Sequence, residues 1–254
     1  MKTVGEIYQF LCEVAPPELQ VDYDNAGFLV GHLNAPVTRA LLALDITEAV
    51  IEEAVRLDAQ LIISHHPIIF SSIKRITDQD DSAKLLKLIE NKLAAICMHT
   101  NLDIAEGGVN DVLMETLGVE PEAPLDQEGC GKIGTLASPM ALSAFLPYVK
   151  ERLGAEGLRY YDAGKPVSRL AVMGGAGADA IADAVRAGCD TYVTADIKYH
   201  QFQRAAELGL NLIDADHYYT ENPVIPVLAE KLRTRFPDLS VLTSAVHKAL
   251  ISFA

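Results

Sequence analysis

Four of the seven histidines in this 254-residue chain, His65, His66, His99 and His217, sit at the ends of runs that read as buried strands. The runs are Gln60–Ser64, Ala94–Met98 and Leu210–Asp214, and acidic residues follow in the same places: Asp103 after the second, Asp216 and Glu221 after the third. Imidazole and carboxylate together are the ligand set of zinc, iron, manganese, cobalt and nickel. Successive side chains of an extended backbone point to opposite sides, so His65 and His66 can serve two neighbouring ions. Carboxylates such as Asp103 and Glu221 can bridge two metals, and His217 with Glu221 has the i, i+4 spacing that brings both to one side if the turn is helical. Two ions about 3.5–4 Å apart, held this way, make a hydrolytic centre that activates water and stabilises a departing oxygen or nitrogen.

Each feature also has an ordinary explanation. Thr100-Asn101-Leu102-Asp103 can be an Asx-type turn, and Glu221 can sit favourably at the N-terminus of a following helix. The convergence of three clusters on strand ends outweighs these, because ligands of open α/β sheets bind beyond the carboxyl ends of the strands. Other patterns carry less. Gly174-Gly175-Ala176-Gly177 matches neither the dinucleotide fingerprint nor a Walker loop, and reads as a tight turn. Asp196 to His200 offers His200 as acid, base or substrate contact, or simply starts a surface helix. His32 and His247 have no partner pattern and are expected to be incidental.

The elements that must position these groups follow from apolar periodicity. Thr3–Ala15 has helical spacing and stops at Pro16-Pro17. Ala40–Leu44, Gln60–Ser64 and Ala94–Met98 read as strands buried on both faces, with helices from Thr47 to Leu57 and Asp81 to Asn91 between them. Val109–Leu117 is a further helix, and the turn-rich stretch Pro121–Pro139 marks a domain transition. The same grammar then repeats: helices at Ala141–Leu153, Asp179–Ala187, Gln201–Glu207 and Pro223–Arg235 alternate with strands at Leu170–Met173, Thr191–Val193 and Leu210–Asp214, and a last strand occupies Ser240–Ser244. The expected fold is α/β, in two similar lobes with mixed sheets.

Half the residues are hydrophobic and 22% are charged, which excludes disorder and disulfide miniproteins. A formal charge of −14 repels a nucleic-acid backbone, so nucleic acid is disfavoured as a partner. Cys12, Cys97, Cys130 and Cys189 are spread without metal spacing and read as free thiols of a reducing compartment. No signal peptide is expected at Met1–Phe10 and no run approaches a membrane span, so the expected location is cytoplasmic.

Five motifs in order carry a resemblance across nearly the whole chain: Asp24-Asn25-Ala26-Gly27-Phe28-Leu29-Val30-Gly31, Ser64-His65-His66-Pro67, His99-Thr100-Asn101-Leu102-Asp103, Gly107-Gly108-Val109-Asn110-Asp111 and His217-Tyr218-Tyr219-Thr220-Glu221. The chain resembles the Ngg-interacting-factor-like dinuclear metal proteins, widely labelled GTP cyclohydrolase I type 2 homologues. The resemblance implies two divalent ions per chain, with His66 and Asp103 on one, His65 and His217 on the other, and Glu221 bridging. It implies a metal site at strand carboxyl ends between two α/β lobes, residues 1–125 completed by 212–254, and 126–211, with the chain returning from the second lobe to deliver His217 and Glu221. A ring-shaped homohexamer is also implied. Tyr23 stands where the family commonly has Trp, Ala195 where Gly is common, and Asp216 where Gly is frequent, and the inserted domain of longer members is lacking.

The first functional expectation is a metal-dependent hydrolase acting on a small, nucleotide-like or phosphorylated substrate. In its GTP cyclohydrolase version water adds at C8 of guanine and formate leaves, with His99 or His200 donating a proton to the departing nitrogen. Lys198 is the only basic residue next to a site motif, which speaks against a triphosphate. The alternative is a non-catalytic metal-binding scaffold, chaperone or regulatory adaptor. Five protein ligands for two ions leave positions for water, and that favours catalysis.

Overall fold

The structure is a computed structural model that describes residues 1–79 and 82–253. The expected helix start at Asp81 and the last residue of the expected first lobe, Ala254, lie outside the described residues. The fold is mixed α/β, and the chain divides into two compact units, residues 1–106 with 225–248, and residues 107–224 with the chain end from 249.

The first unit opens with β1 (Lys2–Thr3) and α1 (Val4–Val14), where Thr3 and Glu6 form a reciprocal capping box that satisfies two of the helix's orphan donors. β2 (Gly27–Val30) and β3 (Pro36–Val37) precede the strands read from the sequence, β4 (Arg39–Ala43), β5 (Leu61–Ser64) and β6 (Ala94–Cys97). Between them run α2 (Glu48–Arg56), capped by Thr47, and α3 (Ser82–Glu90). α4 (Thr100–Ile104) follows β6 almost at once. Every residue of β5 and β6 is buried, as their unbroken apolar runs require.

The second unit comprises α5 (Val109–Thr116), β7 (Ala123–Pro124), β8 (Lys132–Met140), α6 (Leu142–Leu153), β9 (Arg159–Tyr161), β10 (Val167–Val172), α7 (Ile181–Arg186), β11 (Thr191–Thr194), α8 (Tyr199–Leu208), β12 (Asn211–Asp214) and α9 (His217–Glu221). Its sheet has the order β7-β8-β10-β11-β12-β9, with β10, β11 and β12 parallel and the outer strands antiparallel. One core cluster packs Phe145, Leu142 and Val149 of α6 and Leu113 of α5 on one side of it, and another gathers Tyr192, Ile181 and Ala205. The chain then returns through α10 (Val224–Arg235) and β13 (Ser240–Thr243) to finish the first sheet, of order β13-β4-β5-β6-β2. There β13, β4, β5 and β6 are parallel and β2 is antiparallel.

The division differs from the expected one at both boundaries. Residues 107–125 and 212–224 belong to the second unit, because α5 packs on β8 and β10 while β12 is hydrogen-bonded to β11. The stretch Pro121–Pro139 therefore holds strands of the second sheet rather than a transition, and the chain changes units at Gly107-Gly108. The return to the first unit comes only after α9, so His217 and Glu221 stand on the second unit. Among the described residues no helix is long and apolar enough to cross a membrane.

Candidate metal centre

In the first unit the carboxyl edge of the sheet collects the chemistry. Ala43 of β4 is level with Ser64 of β5, which is level with Cys97 of β6, so Asp45, His65, His66 and His99 leave neighbouring parallel strands on the same side. β2 runs the other way, with Gly27 beside Cys97, and so brings Asp24 to this edge as well. His65, His66 and His99 each offer a ligand nitrogen, all within 4.8 Å of one another, and their ring centroids are 5.0–5.6 Å apart.

Each ring is held from behind at Nδ1. His65 Nδ1 lies 2.8 Å from the Met98 carbonyl, His66 Nδ1 2.7 Å from Asp45 Oδ1, and His99 Nδ1 2.7 Å from Asp24 Oδ1. A carbonyl or carboxylate can only accept, so each Nδ1–H donates and the neutral ring carries its lone pair at Nε2. Asp24 is itself fixed: Oδ2 accepts from Thr100 N and Oγ1 at 3.1 and 2.6 Å, and Oδ1 from Asn25 N at 2.7 Å. Burial alone would raise the pKa of Asp24, but these hydrogen bonds and the His99 imidazole hold it well below the usual carboxylate range. Asp45 behaves alike, burial being outweighed by hydrogen bonds from His247 and His66.

Asp103 lies on α4 with Oδ1 3.6 Å from His65 Nε2. This carboxylate, expected to share an ion with His66, also lies by His65. The reason is local: α4 begins immediately after His99, Asp103 N bonds to His99 O at 3.0 Å, and this turn carries the carboxylate back over the buried His65.

The second unit repeats the device. β11 and β12 are parallel, with Thr194 level with Asp214, so Asp196 and His217 leave the same edge. His217 Nδ1 donates to Asp196 Oδ2 at 2.8 Å, and its Nε2 is 3.0 Å from Glu221 Oε2. The turn between His217 and Glu221 is helical, as the i, i+4 reading required. Asp216 caps it by accepting from Tyr218 N at 2.9 Å, with backbone φ 67° and ψ 145°, a region that favours glycine. Burial, reinforced by the neighbouring Asp214, raises the Asp216 pKa. Ala195 adopts no such backbone and is fully buried.

Gly174-Gly175-Ala176-Gly177 serves close approach. Gly175 has φ +63°, and a Cβ there would overlap Glu221 Oε1 and come within 3.0 Å of His217 Nε2. Gly175 N also donates to Thr220 Oγ1 at 3.0 Å, tying the turn to α9.

His200 is exposed on α8 and lines a groove of about 500 Å³ with Asp179, Gln201, Arg204 and Glu207. Among the described residues no hydrogen bond or ion pair joins His200 to His217 or Glu221. His247, expected to be incidental, has a partner: its Nε2 is 2.9 Å from Asp45 Oδ2. Sequence reading missed Asp24 and Asp45; for Asp45 a signal existed in its position just past the buried run Ala40–Leu44.

A strand edge that presents Nε2 lone pairs beside a carboxylate fits a divalent metal ion, since ligating histidines characteristically give their other N–H to an oxygen acceptor. The comparisons agree with an α/β protein. A family model described as Duf34/NIF3 (NGG1p interacting factor 3) matches residues 2–249, and the chain belongs to this family. A Clostridium perfringens protein named a GTP cyclohydrolase 1 type 2 homolog is 35% identical over 259 aligned residues, covering 98% of this chain and 99% of that protein. A Nostoc protein of the same name is 40% identical, over 77% of this chain and 78% of its own length. Among solved structures, a Bacillus cereus protein related to NIF3 matches with TM-score 0.92 at 27% identity, covering 100% of this chain and 99% of that one.

Proposed function

We propose that the chain binds two divalent metal ions through His65, His66, Asp103, His217 and Glu221 and hydrolyses a small nucleotide-like substrate. The observation that carries this is the shared state of the three ligand imidazoles: His65, His66 and His217 all give Nδ1–H to an oxygen acceptor. A structural role asks for no such agreement, whereas a ligand role does. When bound, the ions would supply Lewis acidity and a lowered pKa for water. The protein's own part is to fix the rings. His99, held by Asp24, is proposed to carry a proton to the leaving group, and exposed His200 to contact substrate. The GTP cyclohydrolase names of the relatives make GTP the first nucleotide to try.

A second reading, a metal-binding scaffold without turnover, is favoured by one feature. Asp24, Asp45 and Asp196 all stand behind the imidazoles, a field that works against a polyanionic substrate.

The test is metal content per chain, measured on protein purified without added metal or affinity tag and on the His65→Ala, His66→Ala double variant. About two ions in the parent and a clear loss in the variant are expected, followed by turnover in a screen of GTP and other nucleotides. A parent that binds nothing even after reconstitution overturns the metal reading; full metal without turnover of any nucleotide leaves the scaffold. The self-associated form is proposed to be a homohexamer, for which light scattering should give six times the chain mass.

A further inference from the structure

The three clustered imidazoles of the first unit, His65, His66 and His99, are not equally well supported from behind. The acceptor for His65 is the main-chain carbonyl of Met98, fixed by the β-sheet. That for His99 is Asp24, whose side chain is fully buried and anchored by Thr100 and Asn25. Asp45, which holds His66, has a side chain 43% exposed. Among the described residues its two oxygens accept only from His66 and from His247. A half-exposed aspartate with one partner would trade that hydrogen bond for water by rotating about χ1, and His66 would lose the acceptor that sets its tautomer.

His247 reaches Asp45 because the segment after β13 is tied down. Ser244 N extends the ladder by bonding to Leu42 O at 2.8 Å. Glu53 of α2, only 4% exposed, accepts from Ser244 Oγ at 2.5 Å and from Ala245 N at 3.1 Å. His247 N then donates to Ser244 Oγ at 3.1 Å, and the imidazole, with 8% of its side chain exposed, lies against Asp45. A buried carboxylate is costly unless it is hydrogen-bonded, so Glu53 commits the strap to this path.

We infer that His247 is a positioning residue for the metal centre: it clamps Asp45 so that Asp45 holds His66 with Nε2 presented to a ligand. The inference rests on the proposed metal role of His66, yet the clamp acts on the ring whether or not an ion is bound. Glu53, Ser244, Asp45 and His247 thereby connect the end of β13 to a strand-end histidine far away in sequence.

The experiment compares the parent with His247→Gln and His247→Asn. Glutamine places an amide N–H where the imidazole Nε2–H was, and asparagine is one methylene too short to do so. Both are polar and leave Glu53 and Ser244 to hold the strap. Long-range proton–nitrogen correlation NMR on metal-free protein, at a pH where imidazole is neutral, reads the His66 tautomer. Zinc titration against a competing chelator reads affinity. The Nδ1–H tautomer of His66 should dominate in the parent and in His247→Gln and be mixed in His247→Asn. Zinc affinity should fall about tenfold in His247→Asn, the low end of the range for outer-shell partners, with His247→Gln close to the parent. If the parent binds zinc and both variants keep its tautomer and affinity, the inference is overturned while the metal reading stands. If the parent binds no metal but the tautomer follows residue 247, the metal reading falls while the clamp is upheld.

Discussion

A histidine that gives its Nδ1 proton to a fixed acceptor has one lone pair to offer, and its direction is set by that acceptor. For His217 the acceptor is Asp196, 2.8 Å away. Asp196→Ala should weaken metal binding by about 10–100-fold with little effect on the unfolding of metal-free protein; isothermal titration with zinc and denaturant melts check both, and an unchanged affinity would remove Asp196 from the centre. His99→Gln should retain metal within about threefold of the parent while turnover falls by about 10²–10⁴-fold; loss of an ion instead would make His99 a ligand. Thiol chemistry is a third test at this scale. Burial pushes Cys97 far above the ordinary thiol range and Cys189 up to about 11, so both should resist a thiol reagent at neutral pH in the native state and react on unfolding. His65 and His66 were legible because two adjacent histidines closely follow the apolar run Leu61-Ile62-Ile63. Asp24 and His247 were not. Their partners His99 and Asp45 lie 75 and 202 positions away, and a lone acid or histidine in a loop has many ordinary explanations.

At the scale of elements, the glycine turn after β10 and the short helix α9 are one fitted pair. Gly175→Ala should both strain a φ of +63° and push Glu221 aside. Gly188→Ala is the control, since it shares a positive φ of +75° but has nothing within 4 Å of the added Cβ. Both variants should lose about 1 kcal/mol or more in denaturant unfolding, and only Gly175→Ala should also lose metal. Equal metal content in the two would show that Glu221 does not need this space. The parallel strands β4, β5, β6, β11 and β12 were readable from continuous apolar runs, and their helices from capping and periodicity. β8 was hidden because only Ile133 and Gly134 are buried in it, leaving no period to detect. β2 gave no strand signal because it begins on Gly27 and ends just before Gly31, although Gly31 is there to let Ala94 approach.

For the whole molecule, alkaline stability has an identifiable weak point. Tyr192 is fully buried in the second unit and donates to Gly177 O at 2.7 Å. Burial pushes its pKa far above the ordinary value, which is about 10 in an unfolded chain. The stability linked to this group is whole below pH ~10 and is lost as pH rises from there toward the folded pKa. The denaturant midpoint should therefore fall above pH ~10, and less steeply in Tyr192→Phe. Parallel slopes in the two proteins would assign the alkaline loss to other groups.

The order of synthesis gives the discontinuous first unit a further meaning. β13, the strand that covers the outer edge of β4, is made only after residues 107–224 of the second unit have emerged. At about 5–20 residues per second those roughly 120 residues occupy the ribosome for about 6–24 s, while β4 shows unpaired backbone groups along an apolar strand. The second unit by then has all six strands of its sheet in one continuous stretch and can fold while the first waits. A nascent chain stalled before β13 would hence aggregate through β4, and pairing with β13 is what closes this hazard.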